Sequence, residues 1–199
     1  MWRFYLAAGA DGLVVLEPGA AKSAEVISLH TEDRAAFPIR IPEWLPEFLP
    51  SLRQLATCLV AVIDYKVDHE CLIHVLEYAK ISERPLVLVC EELSDVAGEI
   101  ICLNLKRDTV TILPVIPKAF GDRRHDDFRD LAFLTGAEYF SAANRLVVGK
   151  AMGPLLGIAQ EVSLDHDLLF VRGKPGFSAT GSYMEELTLQ MNAAEAEYD

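Results

Sequence analysis

The chain has 199 residues, of which 51% are hydrophobic, and its formal net charge is -12. This length and hydrophobic content predict a folded chain of one domain, with or without appendages. The negative charge argues against a nucleic-acid ligand and against an anionic membrane surface, because both need a basic footprint. No run approaches the about 20 apolar residues of a membrane-spanning helix, and the N-terminal apolar patch is too weak for a signal peptide.

The four cysteines lie inside apolar runs and form no C-x-x-C pair; they are Cys58, Cys71, Cys90 and Cys102. Cysteines in such runs are typically buried thiols that pack as small apolar side chains. The pattern therefore predicts reduced cysteines and a reducing compartment.

The first third of the chain reads as short strands and an irregular connector. Residues 11–19 and 24–30 each predict a strand, and the first of them is followed by a Pro-Gly turn. Residues 37–50 contain four prolines, which exclude a long helix or a central strand. We therefore expect an irregular, aromatic-bearing connector there.

Strands and helices then alternate. Continuous apolar runs predict buried strands at 57–64, 84–90 and 109–116. Helical spacing predicts helices at 68–80, with Asp68 as N-cap, and at 94–107, with Ser94 as N-cap. A third helix is predicted at 122–136, with Asp122 placed to cap it and Gly136 to end it. This alternation predicts an α/β layered domain with a mostly parallel sheet and flanking helices.

The last quarter predicts two strands, at 152–164 and 167–173, around a turn at 165–167. A flexible loop at 173–182 and an acidic C-terminal helix at 183–198 follow.

The sequence matches none of the common catalytic motifs. His69 and His74 are five residues apart, about 140° out of register for a zinc site on one helix face. The segment 176–181, GFSATG, is one residue too long for a nucleophile elbow. The chain has no glycine-rich phosphate loop of the two common nucleotide-binding types. Adjacent side chains on a helix point about 100° apart and do not converge on one site. The adjacent carboxylate pairs therefore predict solvated acidic faces; they are Glu91-Glu92, Asp126-Asp127 and Glu185-Glu186.

Several segments nevertheless resemble one family. FGDRR followed by DLAFLTG, within 120–136, is similar to the signature loop and helix of the GroEL-type group I chaperonins. Four further segments resemble segments of that family's apical domain and occur in the same order. They are DGLVVLEPG, LVAVIDYKV, RPLVLVCEEL and a helix reaching Asn104. The resemblance covers roughly 11–199 and is specific over 57–136. On its residues alone, GDRR reads as a corner that holds the fold, with Gly121 in the turn and the arginines paired with acids.

The resemblance implies an apical portion only. ATP and Mg²⁺ would belong to the equatorial domain of a longer parent, so this chain would have no cofactor and no ATPase activity of its own. The implied partners are unfolded polypeptides, the mobile loop of a co-chaperonin and other chaperonin subunits of a ring. The implied organisation is two leading strands in 1–30, an apical-like domain at 31–180 and a C-terminal helix at 181–199 leading toward an intermediate domain. The implied compartment is the bacterial cytoplasm, the mitochondrial matrix or the plastid stroma.

The resemblance also implies a binding site, an apolar groove between the helices at 68–80 and 94–107. Ile73 and Leu76 match contact positions of the first helix. In the second helix the matched positions are Gly98, Cys102, Leu103, Asn104 and Arg107. In the aromatic segment they are Ile39, Pro42, Glu43 and Trp44. Gly98 departs from the family, which has a large aliphatic residue there. Glu43 departs from it as well, because it places a charge in an apolar segment.

These departures keep a second hypothesis open: a diverged chaperonin-like module that serves as a scaffold or interaction domain in a larger assembly. An unrelated α/β enzyme is the third. Apolar residues at helical spacing, such as Leu72, Val75 and Leu76, are also the ordinary pattern of a core-facing helix.

Overall fold

The structure is a computed structural model, and it describes residues 35–144 and 153–173. The chain divides into two compact units, Met1–Ala35 and Ala36–Asp199, and the described residues belong almost entirely to the second. The strands predicted at 11–19 and 24–30, most of the loop at 173–182 and the helix at 183–198 lie outside the described residues. Helices and strands of the described part are, in chain order, β1 (Ala35–Arg40), α1 (Leu49–Leu52), β2 (Gln54–Val67), α2 (His69–Ser82), β3 (Leu86–Leu93), α3 (Asp95–Lys106), β4 (Ile112–Pro117), α4 (Asp122–Thr135), β5 (Tyr139–Ser141), β6 (Gly157–Asp165) and β7 (Leu168–Gly173).

The seven described strands form one sheet in the order β3-β4-β1-β7-β6-β2-β5. Strand β2 also pairs with β3, so the first six of these strands close on themselves and β5 extends from β2. The β2–β3, β3–β4 and β2–β5 pairs are parallel, whereas β1–β4, β2–β6 and β6–β7 are antiparallel. The predicted α/β class with flanking helices is confirmed, and the sheet is mixed.

The two faces of the sheet carry different helices. In β3, Leu86, Leu88 and Cys90 belong to a core cluster that includes Leu72 and Val75 of α2 and Ala97 and Ile101 of α3. The alternate residue Val89 lines a small cavity on the opposite face, together with Phe128 and Leu131 of α4. This alternation follows from the period of two along a strand, and it places α2 and α3 together on the face opposite α4.

Local capping explains where these helices begin and end. The Asp68 carboxylate accepts a hydrogen bond from the Cys71 amide at 2.9 Å, and the Ser94 hydroxyl accepts one from the Ala97 amide at 3.2 Å. Both predicted N-caps are therefore confirmed. Gly136 ends α4 in the left-handed conformation at φ 70°, as predicted. Asp122, in contrast, is the first helical residue, and the N-cap is Gly121, which has no side chain to cap the helix.

The proline-rich segment 37–50 corrects a prediction. Strand β1 contains Pro38 and lies between β4 and β7, so it is a central strand. Pro38 has no amide hydrogen to donate, but its carbonyl accepts a hydrogen bond from the Lys118 amide at 3.0 Å. Ile39 then donates to the Asp167 carbonyl at 2.8 Å. Pro46 lies in a short 3-10 helix, Leu45–Glu47, and Pro50 lies in the first turn of α1; a missing donor costs little at either position.

The longest helices of the described part have 14 residues, and no helix in this part is long and apolar enough to cross a membrane.

Candidate functional site

Helices α2 and α3 lie side by side on one face of the sheet and contact each other. Each therefore has an inner flank, toward its neighbour, and an outer flank. On α2, Tyr78 lies beside Gly153, since a methyl group there would be 2.7 Å from the Tyr78 hydroxyl. The nearby Leu155 carbonyl accepts a backbone hydrogen bond from the residue that precedes β5, and β5 borders β2 on the side away from β3, so Tyr78 marks the outer flank of α2. On α3, a methyl group on Gly98 would lie 3.5 Å from the indole nitrogen of Trp44, which follows β1 on the side of β4 away from β3, so Gly98 marks the outer flank of α3.

The 100° step per residue places the remaining residues on these flanks. Ile73 and Leu76 lie on the inner flank of α2. Val96, Ile100 and Leu103 lie on the inner flank of α3. We call the space between the two inner flanks the inter-helix groove, and its residues come from both helices.

Three aliphatic side chains of the groove are open to solvent. Ile73 is 39% exposed, Val96 51% and Leu103 46%, whereas Ile100 is half-buried and packs against the core cluster. Fully burying one such side chain stabilises a complex by about 1.5–3 kcal/mol, so the exposed parts are each worth roughly 1 kcal/mol. The groove therefore offers an apolar contact that the described chain itself leaves uncovered.

The predicted contact residues fall into three groups. The first group lies on the inner flanks or at the end of α3 and consists of Ile73, Leu103, Asn104 and Arg107. The side-chain amide of Asn104 donates a hydrogen bond to the Ile100 carbonyl at 2.9 Å. Leu76 faces the groove but is only 7% exposed and belongs to the core cluster. The remaining residues lie away from the groove: Gly98 and Cys102 on the outer flank, Trp44 against Gly98, Pro42 in the turn that leads to Trp44, and Ile39 in β1 at 1% exposure.

Burial removes two of these residues from the accessible contact set. Ile39 is a core residue of β1, because the closed sheet places it beside Phe128 and Leu131 of α4. Leu76 is a core residue because the apolar arc of α2 is wide: Leu76 lies at the edge of the buried arc nearest the groove and still belongs to the core cluster. Either side chain could meet a bound peptide only after displacing its present neighbours.

Trp44 and Gly98 form one packing unit on the outer flank of α3. Gly98 is buried, and three atoms of the Trp44 indole lie within 3.5–3.8 Å of the position that a Cβ would take. The indole thus occupies the volume that a large aliphatic side chain would need at position 98. The small residue at position 98 and the indole of Trp44 therefore complement each other in space.

Sequence reasoning missed Val96 and Ile100. Their signal is nevertheless present, because Val96, Ile100 and Leu103 are spaced i, i+4 and i+7, which is one helix face. This face lies beside the core face that Ala97 and Ile101 define.

A second cluster of side chains lies on the opposite face, where α4 begins. The Asp64 carboxylate is 1% exposed and accepts a hydrogen bond from the Tyr139 hydroxyl at 2.7 Å. Arg124 Nε lies 3.1 Å from Asp64 Oδ1, and Arg124 Nη1 donates to Glu91 Oε1 at 2.6 Å. His125 Nδ1 contacts Asp64 Oδ2 and lies 2.9 Å from the Tyr139 hydroxyl. The pKa of the Tyr139 hydroxyl is raised, mainly by burial and secondly by the hydrogen bond to Asp64.

This cluster joins α4 to β2 and β3 near their carboxyl ends and to the first residue of β5. Its one deeply buried charge, on Asp64, is compensated by a guanidinium and a hydroxyl, as a stable buried charge requires. The GDRR corner is thus an anchor of the fold, in which Arg124 supplies the charge. Among the described residues, no group of three or more His, Cys, Asp or Glu side chains is arranged to hold a metal ion.

Comparison with known proteins gives limited similarities. No family model matches the sequence. The chain is similar to the chaperonin gp146 of the Pseudomonas aeruginosa bacteriophage EL, at 14% identity over 71% of this chain and 28% of that chain, with a TM-score of 0.48. It is also similar to a group II chaperonin monomer of Methanococcoides burtonii, at 12% identity over 71% of this chain and 31% of that chain, with a TM-score of 0.41. The chain thus spans less than a third of each, and neither similarity singles out the group I class.

Proposed function

We propose that this chain binds unfolded or flexible polypeptide segments and holds their apolar side chains in the inter-helix groove. One observation carries the proposal: Ile73, Val96 and Leu103 are exposed by 39–51% on inner flanks that face each other. Aliphatic side chains gathered in this way, with charged residues around them, are typical of a surface that takes an apolar partner.

The finer proposal is that the chain acts as the apical domain of a group I chaperonin. Its support is the ordered set of sequence segments over 57–136, together with the inner-flank positions of Ile73, Leu103, Asn104 and Arg107. The partners then include a co-chaperonin mobile loop and neighbouring subunits of a ring, in a reducing compartment. The alternative, a scaffold module that no longer takes up clients, would leave the groove without affinity for peptides.

Binding is expected to be weak. Three half-exposed aliphatic side chains contribute roughly 1 kcal/mol each, and a flexible peptide loses conformational entropy when it is ordered. We therefore expect a Kd of ~10–100 µM for an amphipathic peptide. Repetition of the domain in a ring would raise the apparent affinity by supplying several grooves at once.

The test is fluorescence anisotropy of a labelled amphipathic peptide titrated with the protein. Leu103→Gln removes an exposed aliphatic group from the groove, and Ile158→Gln removes one of the same exposed fraction, 46%, from strand β6. The proposal expects Leu103→Gln to weaken binding about fivefold, which corresponds to the loss of about 1 kcal/mol. Ile158→Gln should leave it unchanged. Absence of binding by the unmodified protein, or an equal loss in both variants, would reject the groove as the binding site.

We further propose that the chain neither binds nor hydrolyses ATP, since no common phosphate-binding glycine loop occurs in its 199 residues. Isothermal titration with Mg-ATP tests this, and saturable micromolar binding would contradict it.

A further inference from the structure

Charge is unevenly distributed along the inter-helix groove. Helices α2 and α3 both start at the carboxyl ends of the parallel strands β2 and β3, so their first turns lie at the same end. Four exposed carboxylates lie at that end, those of Asp68, Glu70, Asp95 and Glu99. Lys66, which is also at this end, is already paired with Glu92 at 2.7 Å.

The other end of the groove has a different balance. Four exposed cations lie in or just after the last turns, Lys80, Arg84, Lys106 and Arg107, alongside three exposed carboxylates, Glu77, Glu83 and Asp108. The first-turn end therefore has a net charge of about four negative charges, whereas the last-turn end is close to neutral. The positive ends of two helix dipoles, about half a charge each, oppose only part of the negative charge at the first turns.

We propose that the groove selects amphipathic segments whose Lys and Arg residues gather at one end, and that it binds them in one direction. The basic end of the segment lies over the first turns of α2 and α3, beside Glu70 and Glu99. Its apolar face covers Ile73, Val96 and Leu103. This inference rests on the proposed function, and it adds the charge pattern of the client and its orientation.

The same charges disfavour acidic segments. A carboxylate at the first-turn end meets like charges, which lowers both affinity and association rate. The exposed charges are solvated, so each contact contributes modestly and is screened by salt. Together they discriminate between clients that have the same apolar face.

The test uses three labelled peptides that share one apolar stripe at helical spacing and differ at one end, which carries three Lys, three Gln or three Glu residues. Anisotropy should show the Lys peptide binding about fivefold more tightly than the Gln peptide, and the Glu peptide more weakly than either. In about 0.5 M salt the three affinities should converge, because the screening length falls to a few ångströms.

A matched pair of variants assigns the effect to the groove. The double variant Glu70→Gln with Glu99→Gln should reduce the preference for the Lys peptide and leave the affinity for the Gln peptide unchanged. Glu47→Gln with Glu138→Gln removes the same number of exposed charges outside the groove and should keep the preference. A spin label on the basic end should broaden amide signals near Glu70 more than those near Lys106.

The outcomes separate the two proposals. If no peptide binds, the proposed function fails. If all three bind with equal affinity at low salt, the function stands and the charge inference is overturned. Equal loss in the two double variants, or equal broadening near Glu70 and Lys106, also overturns it.

Discussion

The Tyr139 hydroxyl donates a hydrogen bond of 2.7 Å to the buried carboxylate of Asp64, and this bond ties β5 to β2. Removing the hydroxyl in Tyr139→Phe leaves the carboxylate with one partner fewer in a buried site. We expect a loss of about 1–3 kcal/mol in the free energy of unfolding, measured by urea denaturation. A double-mutant cycle with Asp64→Asn should show that the two changes are not additive. Simple additivity would contradict a direct bond between them.

Position 98 offers a second prediction. A methyl group in Gly98→Ala would meet the Trp44 indole at ordinary contact distance, and alanine favours the helix more than glycine does. We expect a gain of about 0.5–1 kcal/mol in the unfolding free energy. Gly98→Leu should instead displace the indole, lower the Tm and alter the Trp44 fluorescence. If Gly98→Leu were as stable as Gly98→Ala, with unchanged fluorescence, the packing unit would not exist.

Leu76 and Ile73 make a matched comparison within one helix. Leu76 is 7% exposed and Ile73 39%, so a truncation should affect the core at one position and the surface at the other. Leu76→Ala should lower the unfolding free energy by about 2–4 kcal/mol, as buried leucines do. Ile73→Ala should cost less than about 1 kcal/mol in stability and yet weaken peptide binding. Equal stability losses at the two positions would contradict the assigned flanks.

Stability should also fall at alkaline pH. Burial raises the pKa of the Cys58 thiol to about 11 from the ordinary value of 9.0. Because the folded state holds this proton more tightly than the unfolded chain, the contribution of Cys58 is complete below pH 9 and is lost between pH 9 and 11. The loss is about 3 kcal/mol by linkage. Burial raises the pKa of Cys71 and Cys90 too, which steepens the decline.

The control is Cys58→Ala, which should be less stable at neutral pH but lose less stability between pH 9 and 11. Chemical denaturation at fixed pH steps gives both values. An identical pH dependence in the variant would rule out Cys58 as a contributor.

Thiol reactivity provides a fifth prediction. Cys58, Cys71 and Cys90 are buried free thiols, whereas Cys102 is partly exposed on the outer flank of α3. Under native conditions one thiol should therefore react quickly with an alkylating reagent, and peptide mapping should identify it as Cys102. Rapid modification of two or more sites would show that the core opens more readily than the structure implies.

The elements that could be predicted from sequence are those with local causes. Asp68 and Ser94 cap helices through amides three residues away, and Gly136 ends α4 through its own backbone conformation, so short segments suffice. Strand β1 could not be predicted in this way. Its partners, near residues 116–117 and 167, are far along the chain, and its proline suggested an irregular connector.

The candidate site was predictable in outline only. Helical spacing predicted both helices, and the family resemblance proposed Ile73 and Leu103 as contact positions, which the structure shows to be exposed. The burial of Leu76 depends on how far α2 is rotated against the sheet, which no local pattern specifies. The contact of Trp44 with Gly98 joins residues 54 positions apart, so neither residue alone indicates that one fills the space left by the other.

The 14 residues of β2 hydrogen-bond to β3 on one edge and to β6 and then β5 on the other. No neighbouring strand can separate from β2 without breaking a row of backbone bonds, and both layers of helices rest on β2. Amide protons in its middle should therefore exchange with solvent only when the whole domain unfolds. Under a pulling force, β2 would therefore be the last strand to release.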